Sequence, residues 1–430
     1  MFGKTVVALS FLFALVIGST LAFVLGLSTS AGAEGFSIYS QGARGAALNG
    51  AVLARKPDPT VIAHNPSQIA RLSGDALTVG FTVINTSGKI RWREGNTVGT
   101  TGSKSKYYFI PHAYFTHQLS DRWFLGIGEF TRFGLGNEYP TDWPGRFNVY
   151  DVYLMTSSLA TNVAYKAGEK LSLSIGTELV YAMMTLRNRI PLPGGSEVDL
   201  FIDKASDLSL GFNLSGHYQF DEKWAVGLIY RSPIRLEASG PIRFTFLGSS
   251  LADKMRFDLG FQDGDVSGVI TLPESIAVGL SFTPIESLSL EAAATWSRWS
   301  RYDTLDLKLP GNMAPAVNPK HWKNNWRFAF GAEYALTDYL DLRFGYSFTQ
   351  SPMNPELSDY FVPTKNRHSW STGLGFHNER YSLDIAYTYV DCLDRSYPAR
   401  PKSNGGNGTL ESSSSSFVGH EATFSFTYHF

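Results

Sequence analysis

The chain has 430 residues, 37 basic against 38 acidic, a formal net charge of −1 and a single cysteine, Cys392. This balance leaves no basic face for nucleic acid, and one cysteine excludes an intramolecular disulfide and offers no metal cage. Aromatic residues make up 14% of the chain, mostly Phe and Tyr, which suits either an exported β-sandwich or a membrane-spanning β-barrel.

In chain order, Lys4 is followed by an apolar run from Val6 to Leu27 and then by small residues ending in Ala31-Gly32-Ala33. A charged start, an apolar middle and an Ala-x-Ala ending predict a signal peptide over 1–33, cleaved after Ala33. Nothing basic follows Leu27 to act as a stop. After it, no apolar run approaches the length of a membrane helix.

Residues 34–75 are rich in Gly and Ala and carry Arg44, Arg55, Lys56 and Arg71, with no period-2 alternation and no sustained apolar helical face. Asn65-Pro66-Ser67 reads as a turn into a short helical piece, Gln68 to Leu72. Such a segment is ordered only where another structure supplies its walls, which predicts a plug (hatch) in the lumen of whatever residues 76–430 build.

Those residues read as strands. At the C-terminus Phe424, Phe426, Tyr428 and Phe430 alternate with Thr423, Ser425, Thr427 and His429. The same alternation sets Leu208, Leu210, Phe212 and Leu214 against Asp207, Ser209, Asn213 and Ser215. It also sets Trp326, Phe328, Phe330 and Tyr334 against Arg327, Gly331 and Glu333, and Leu340 to Phe348 against Asp341 and Arg343. A charge on the lipid face at the bilayer midplane costs roughly 2–4 kcal/mol. Turning Arg327, Glu333, Asp341 and Arg343 outward would therefore consume most of a domain's net stability. In a membrane the aromatic faces point out.

A sandwich would show the same alternation, so connection lengths must decide. Short turns are expected at 120–122, 166–169, 221–223, 283–285, 337–338 and 377–379. Long polar loops are expected around 94–106, 137–148, 191–204, 244–266, 310–322, 351–366 and 393–416. Strict alternation of short and long connections predicts an all-β membrane protein, a 14-stranded antiparallel outer-membrane β-barrel. The last strand closes it against the first, Leu77 to Ile84, which removes both sheet edges. The sole cysteine falls near a loop.

Two neighbouring stretches break the pattern. Tyr107 to Leu119 carries bulk on both faces, and Trp123 to Gly136 keeps neither parity while holding Gly126, Gly128, Gly134 and Gly136. Glycine in a strand marks a bulge or bend. The two readings are ordinary barrel curvature and a gap in the wall. Leu272-Pro273-Glu274 reads as a second bulge, turning Glu274 inward.

The plug, this irregular third strand and an ordered set of strand ends resemble the FadL-type outer-membrane transporters of long-chain fatty acids and other hydrophobic compounds. The pieces are Gly35-Phe36, Asn65-Pro66, Phe133-Gly134-Leu135 with Asp142-Trp143-Pro144-Gly145-Arg146, and Leu272-Pro273-Glu274. They continue with Thr295 to Trp299, Trp322 to Arg327 and Gln350-Ser351-Pro352. The resemblance implies a hatch and a third-strand kink that opens toward the bilayer, with Gly134 at the kink. It also implies basic lumen residues for a ligand carboxylate, here Lys323 together with Arg187 or Arg189; for each the other reading is a solvated charge. Two departures stand out: Ser67 replaces the usual Ala after Asn-Pro, and the third outer loop is short.

The apolar pocket candidates are Phe36, Ile38, Phe130, Phe133, Met183, Met184 and Leu186, with core filling as their other reading; methionine suits variable ligands. The expected function is passive uptake of long-chain fatty acids or similar hydrophobic molecules, the ligand leaving beside the third strand after the plug rearranges. The expected protein is a monomer amid outer-membrane lipid, with no cofactor, metal or nucleic acid. Rival readings are a general aqueous porin and a barrel enzyme such as a lipase. No Gly-x-Ser-x-Gly elbow, no zinc motif after His420-Glu421 and no Gly-x-x-x-x-Gly-Lys-Ser/Thr phosphate loop occurs, so no enzyme is expected.

Overall fold

The computed structural model describes residues 35–247 and 260–430. The signal peptide therefore lies outside the described residues. Fourteen wall strands are present, several with an internal break. They are β1 Ala76–Glu94, β2 Thr97–Gly102 with Lys106–Gln118, β3 Trp123–Phe130 with Gly134–Glu138, β4 Asp151–Lys166, β5 Leu171–Pro191 and β6 Glu197–Gln219. Then come β7 Trp224–Arg231 with Ile234–Leu247, β8 Gly264–Leu272 with Ser275–Ile285, β9 Leu288–Ser297 with Thr304–Lys308 and β10 Ala316–Pro319 with Asn325–Thr337. The last four are β11 Leu340–Thr349, β12 Arg367–His377, β13 Tyr381–Cys392 and β14 Glu411–His429.

Each strand pairs antiparallel with its neighbours, and β14 returns to β1 from Ala76↔His429 to Arg93↔Glu411, closing the barrel. Closure pairs the first strand with the last, so neither is left as a free edge in a lipid-facing wall. The side-chain period does the rest. Leu210 is 67% exposed and Phe344 60%, with Trp326, Phe328 and Phe330 beside them on the outer surface, whereas Asn213, Arg327, Arg343 and Ser425 are buried on the inner face. Cys392 is buried as the last residue of β13.

Several connections differ from the expectation. β1 runs ten residues past Ile84, and only Gly95-Asn96 separates it from Thr97. The expected loop at 191–204 shrinks to 192–196, because β6 resumes at Glu197. The start of β6 keeps a period of two, with Val198, Leu200 and Ile202 buried on one face and Asp199 and Asp203 on the other, so its acidic residues do not mark a loop. The turn expected at Thr283 to Ile285 lies two residues later, since β8 runs to Ile285.

Residues 35–75 precede the wall. They contain a five-residue helix, α1 Ala43–Ala47, and 3-10 turns at Pro59–Ala63 and Pro66–Arg71. Asp58 caps the first turn by accepting from Thr60 N at 2.7 Å, and proline opens both turns, where its missing N–H costs nothing. Nearly all these residues are buried, and they bond to inward-facing side chains around the wall. Ser40 Oγ donates to Glu421 on β14 at 2.6 Å and Asn49 to Ser371 on β12 at 2.8 Å. The backbone N–H of Ser67 donates to Ser215 on β6 at 2.9 Å.

Candidate functional site

Two carboxylates fix this segment. Glu291 on β9 accepts the successive backbone N–H groups of Leu53, Ala54 and Arg55 at 2.6, 3.1 and 3.0 Å, so the turn wraps an anion as a backbone nest does. Glu333 on β10 takes a bidentate contact from Arg44 at 2.7 and 2.8 Å and a further one from Arg343 at 2.6 Å. Arg343 also holds Asp384. Bidentate guanidinium pairs of this sort are geometrically specific as well as strong. Burial pushes the His64 imidazole down to about 4, leaving it neutral against Gln41 O at 3.3 Å.

The first residues of the segment behave differently, because they meet β3 where it breaks. Thr131 to Phe133 interrupt the strand. β2 pairs with β3 only from Ala113↔Glu129 to Gln118↔Phe124. Above that, Lys106 to His112 pair with β1 alone, and Gly134–Glu138 pair with β4 alone. The wall therefore has an interval in which two neighbouring strands share no ladder. Its upper end is closed by Lys104 N donating to Glu138 O at 2.7 Å, with Lys104 and Lys106 also ion-paired to Glu138. Within the interval, Ile38 N donates to Arg132 O at 2.8 Å and Gly134 N to Phe36 O at 2.7 Å, with Ser37 opposite Phe133. A Cβ on Gly134 would stand 2.8 Å from Ile38 Cδ1, so the glycine makes room for this arm.

The Phe36 ring enters an aromatic box. Its centroid lies 4.8 Å from Trp299, 5.9 Å from Trp322, 6.1 Å from Tyr302 and 6.2 Å from Phe133. Edge-to-face rings at such spacing add to the burial of their area. The box opens onto the largest apolar cluster, where Leu135, Leu154, Leu186, Ile202 and Ile270 meet with Met184 at the margin. Four of the seven expected apolar residues thus converge: Phe36, Phe133, Met184 and Leu186. Phe130 instead packs with Ile62, Ile69 and Tyr114, Ile38 with Ile84, Tyr108 and Ile110, and Met183 is buried opposite Met155. Trp299, Tyr302 and Trp322 were missed as pocket residues, although the spacing of tryptophans in 295–299 and 322–326 carried the signal.

The basic candidates do not come together in one place. Arg187 lies over the Phe201 ring at 3.8 Å. Arg189 is ion-paired to Glu197 and Asp199, each at 3.0 Å. Lys323 is exposed, and its backbone N–H donates to Pro352 O at 2.7 Å. A cavity of about 80 Å³ beside Phe133 is lined by Arg132, Arg231, Arg327, His64 and Gln41, among others. Of these three arginines, the sequence marks only Arg327, as an inward-facing charge. The second bulge also departs from expectation: Pro273, Ser275 and Ala277 line this cavity, so Glu274 falls on the opposite face. There it accepts from Arg298 at 3.0 Å and Arg301 at 2.9 Å. Among the described residues no group of His, Cys, Asp or Glu could hold a metal ion.

The family model for outer membrane protein transport proteins (OMPP1/FadL/TodX) matches residues 24–430. The chain belongs to this family. An outer membrane protein of Neisseria meningitidis serogroup B is 24% identical over 91% of the chain and 93% of its own length. A long-chain fatty acid transport protein of Escherichia coli is 21% identical over 86% and 90%. The fold is shared with a Pseudomonas aeruginosa FadL homologue (TM-score 0.82, 19% identity, 92% of this chain and 99% of that one). It is shared too with the toluene transporter TodX of Pseudomonas putida (TM-score 0.74, 17% identity, 91% and 99%). As a FadL/TodX-family member the chain is a multi-pass protein of the bacterial outer membrane that transports hydrophobic compounds, and it is not an enzyme.

Proposed function

We propose that this protein takes up long-chain fatty acids or molecules of similar apolar bulk, passively, and releases them sideways into the bilayer through the interval between β2 and β3. The observation that carries this reading is the loss of β2–β3 pairing over the stretch where Phe36 to Ile38 sit. Relatives bear on the substrate: one is named a long-chain fatty acid transport protein, another a toluene transporter. Residues 35–75 act as the hatch, and Arg187, Arg189 and Lys323 remain candidates for meeting a carboxylate near the outer end.

Burying a methylene contributes about 0.8 kcal/mol, so a sixteen-carbon chain gains up to roughly 10 kcal/mol in a dry pocket. A site that favourable retains its ligand unless a later step spoils it, and no phosphate loop supplies energy. Displacing Phe36 from its box both admits a ligand and, on return, competes with it. Only the arm before Gly42 needs to move, since the residues after it are pinned by Glu291 and Glu333. The protein purified in detergent should carry a hydrophobic molecule identifiable by mass spectrometry, and proteoliposomes containing it should take up laurate faster than protein-free ones. Equal rates would refute the reading.

A further inference from the structure

We propose that the outer face of β1, with the adjoining edges of β2 and β14, docks an outer-leaflet lipid whose headgroup carries phosphate. Lys89 and Arg91 meet the phosphates, and the rings below them meet the acyl chains. The site lies on the lipid-facing surface rather than in the lumen, and it is independent of the transport reading.

β1 alternates along its whole length. Thr78, Thr82, Ile84 and Ile90 are fully buried on the inner face, so Phe81, Val83, Asn85, Lys89, Arg91 and Arg93 share the outer one. At about 3.3 Å per residue and a tilt of about 40°, Lys89 lies roughly 30 Å above Leu77, just past an outward apolar band about 25 Å tall. Arg91 stands one step higher. Cations at this height lie level with lipid headgroups.

The lower part of the same face is a shelf of rings. Phe81 stacks on Phe109 of β2 at 4.9 Å and on Phe424 of β14 at 5.7 Å. Above them Asn85 stands between Tyr107, which is 76% exposed, and His420, whose Nδ1 lies 2.7 Å from Tyr387 Oη on β13. Rings that end in a polar atom favour the membrane–water boundary, which fixes the level of this belt.

Above the belt, Lys89 is flanked in register by Gly102 and Ser415, and Arg91 by Thr100 and Ser413. Small neighbours leave both long side chains uncovered and supply hydroxyl donors beside them. Arg93, one step further, faces Glu411. Other exposed guanidiniums have acids of their own: Arg235 pairs with Glu237 at 2.9 Å, and Arg298 and Arg301 with Glu274 at 3.0 and 2.9 Å. Among the described residues, no carboxylate ion-pairs with Lys89 or Arg91. A phosphate monoester carries up to two charges and three acceptor oxygens, enough for both cations and their flanking hydroxyls, whereas one carboxylate serves a single guanidinium. Two unmatched charges above a shelf of rings therefore complement a phosphorylated amphiphile.

Native mass spectrometry of the full chain in neutral detergent, stripped of lipid and titrated with diphosphoryl lipid A, tests this. The wild type should bind it about tenfold more tightly than the dephosphorylated lipid, and inorganic phosphate should not displace it. The double variant Lys89→Gln, Arg91→Gln should lose about tenfold in affinity, and Lys89→Arg should keep it. Arg235→Gln, which removes an exposed cation already paired with an acid, should change it by less than about twofold. Heat-modifiable migration on a gel checks that each variant is folded. Wild-type affinity in the double variant, an equal loss in Arg235→Gln, equal binding of the dephosphorylated lipid, or displacement by inorganic phosphate would each overturn the docking surface. Laurate uptake into proteoliposomes free of lipid A reports on the transport reading separately.

Discussion

Gly134 shows how one missing atom can govern a wall opening. Its neighbour is Ile38, whose Cδ1 would lie 2.8 Å from a Cβ at this position. A leucine side chain there must displace Ile38 Cδ1, and the expectation is that this loosens the arm, whose Phe36 O accepts from Gly134 N. The β3–β4 register, Gly134↔Met155 to Glu138↔Asp151, uses backbone groups that survive the change. Gly134→Leu should therefore fold, shown by unchanged heat-modifiable migration, while laurate uptake falls about tenfold, equivalent to ~1.4 kcal/mol in a gating equilibrium. Uptake at the wild-type rate would count against lateral exit. Single residues also show where sequence reading stops. Arg132, Glu178 and Arg231 are far apart in the chain, and a lone charge on an inner face looks like any other lumen charge. In the closed barrel Arg132 and Arg231 both ion-pair with Glu178, at 2.7 and 3.4 Å.

At the scale of elements, the amphipathic strands were legible because lipid imposes a strict period-2 rule on both faces. The β3 break was legible for the converse reason: parity fails between Phe130 and Gly134 where no continuous strand exists to enforce it. Outer connections were less legible, since Thr97–Gly102 carries no apolar face and the acidic residues at the start of β6 mask its buried Val198, Leu200 and Ile202. The N-terminal arm was legible only as something in need of walls. Its pairing with β3 offers a direct test of its movement. Ser37 and Phe133 are antiparallel partners, and partners in such a pair approach within disulfide range. A Ser37→Cys, Phe133→Cys double variant should cross-link on oxidation and lose most uptake, then regain it on reduction. The native Cys392 is buried and does not compete. Equal uptake by the oxidised and reduced protein would mean the arm need not move.

For the whole molecule, strand number sets the problem that the N-terminal segment answers. Eight-stranded barrels fill their interior with wall side chains, and sixteen to eighteen strands enclose an aqueous channel. Fourteen strands fall between, so the wall's own side chains leave a bore. The inner faces of β9 to β14 carry Glu291, Glu333, Arg343 and Asp384, which without residues 35–75 would face water rather than Arg44, Arg55 and the backbone of Leu53. Deleting 34–74 while keeping residues 1–33 leaves the β1–β14 seam intact, because its pairing begins at Ala76. The truncated barrel should insert and conduct ions steadily in planar bilayers. The full chain should be nearly silent under the same salt and voltage, because the proposed route leads to the bilayer rather than across it. Steady conductance from the full chain would make the protein an aqueous pore, and silence from both forms would mean that the wall itself, not the hatch, blocks the bore.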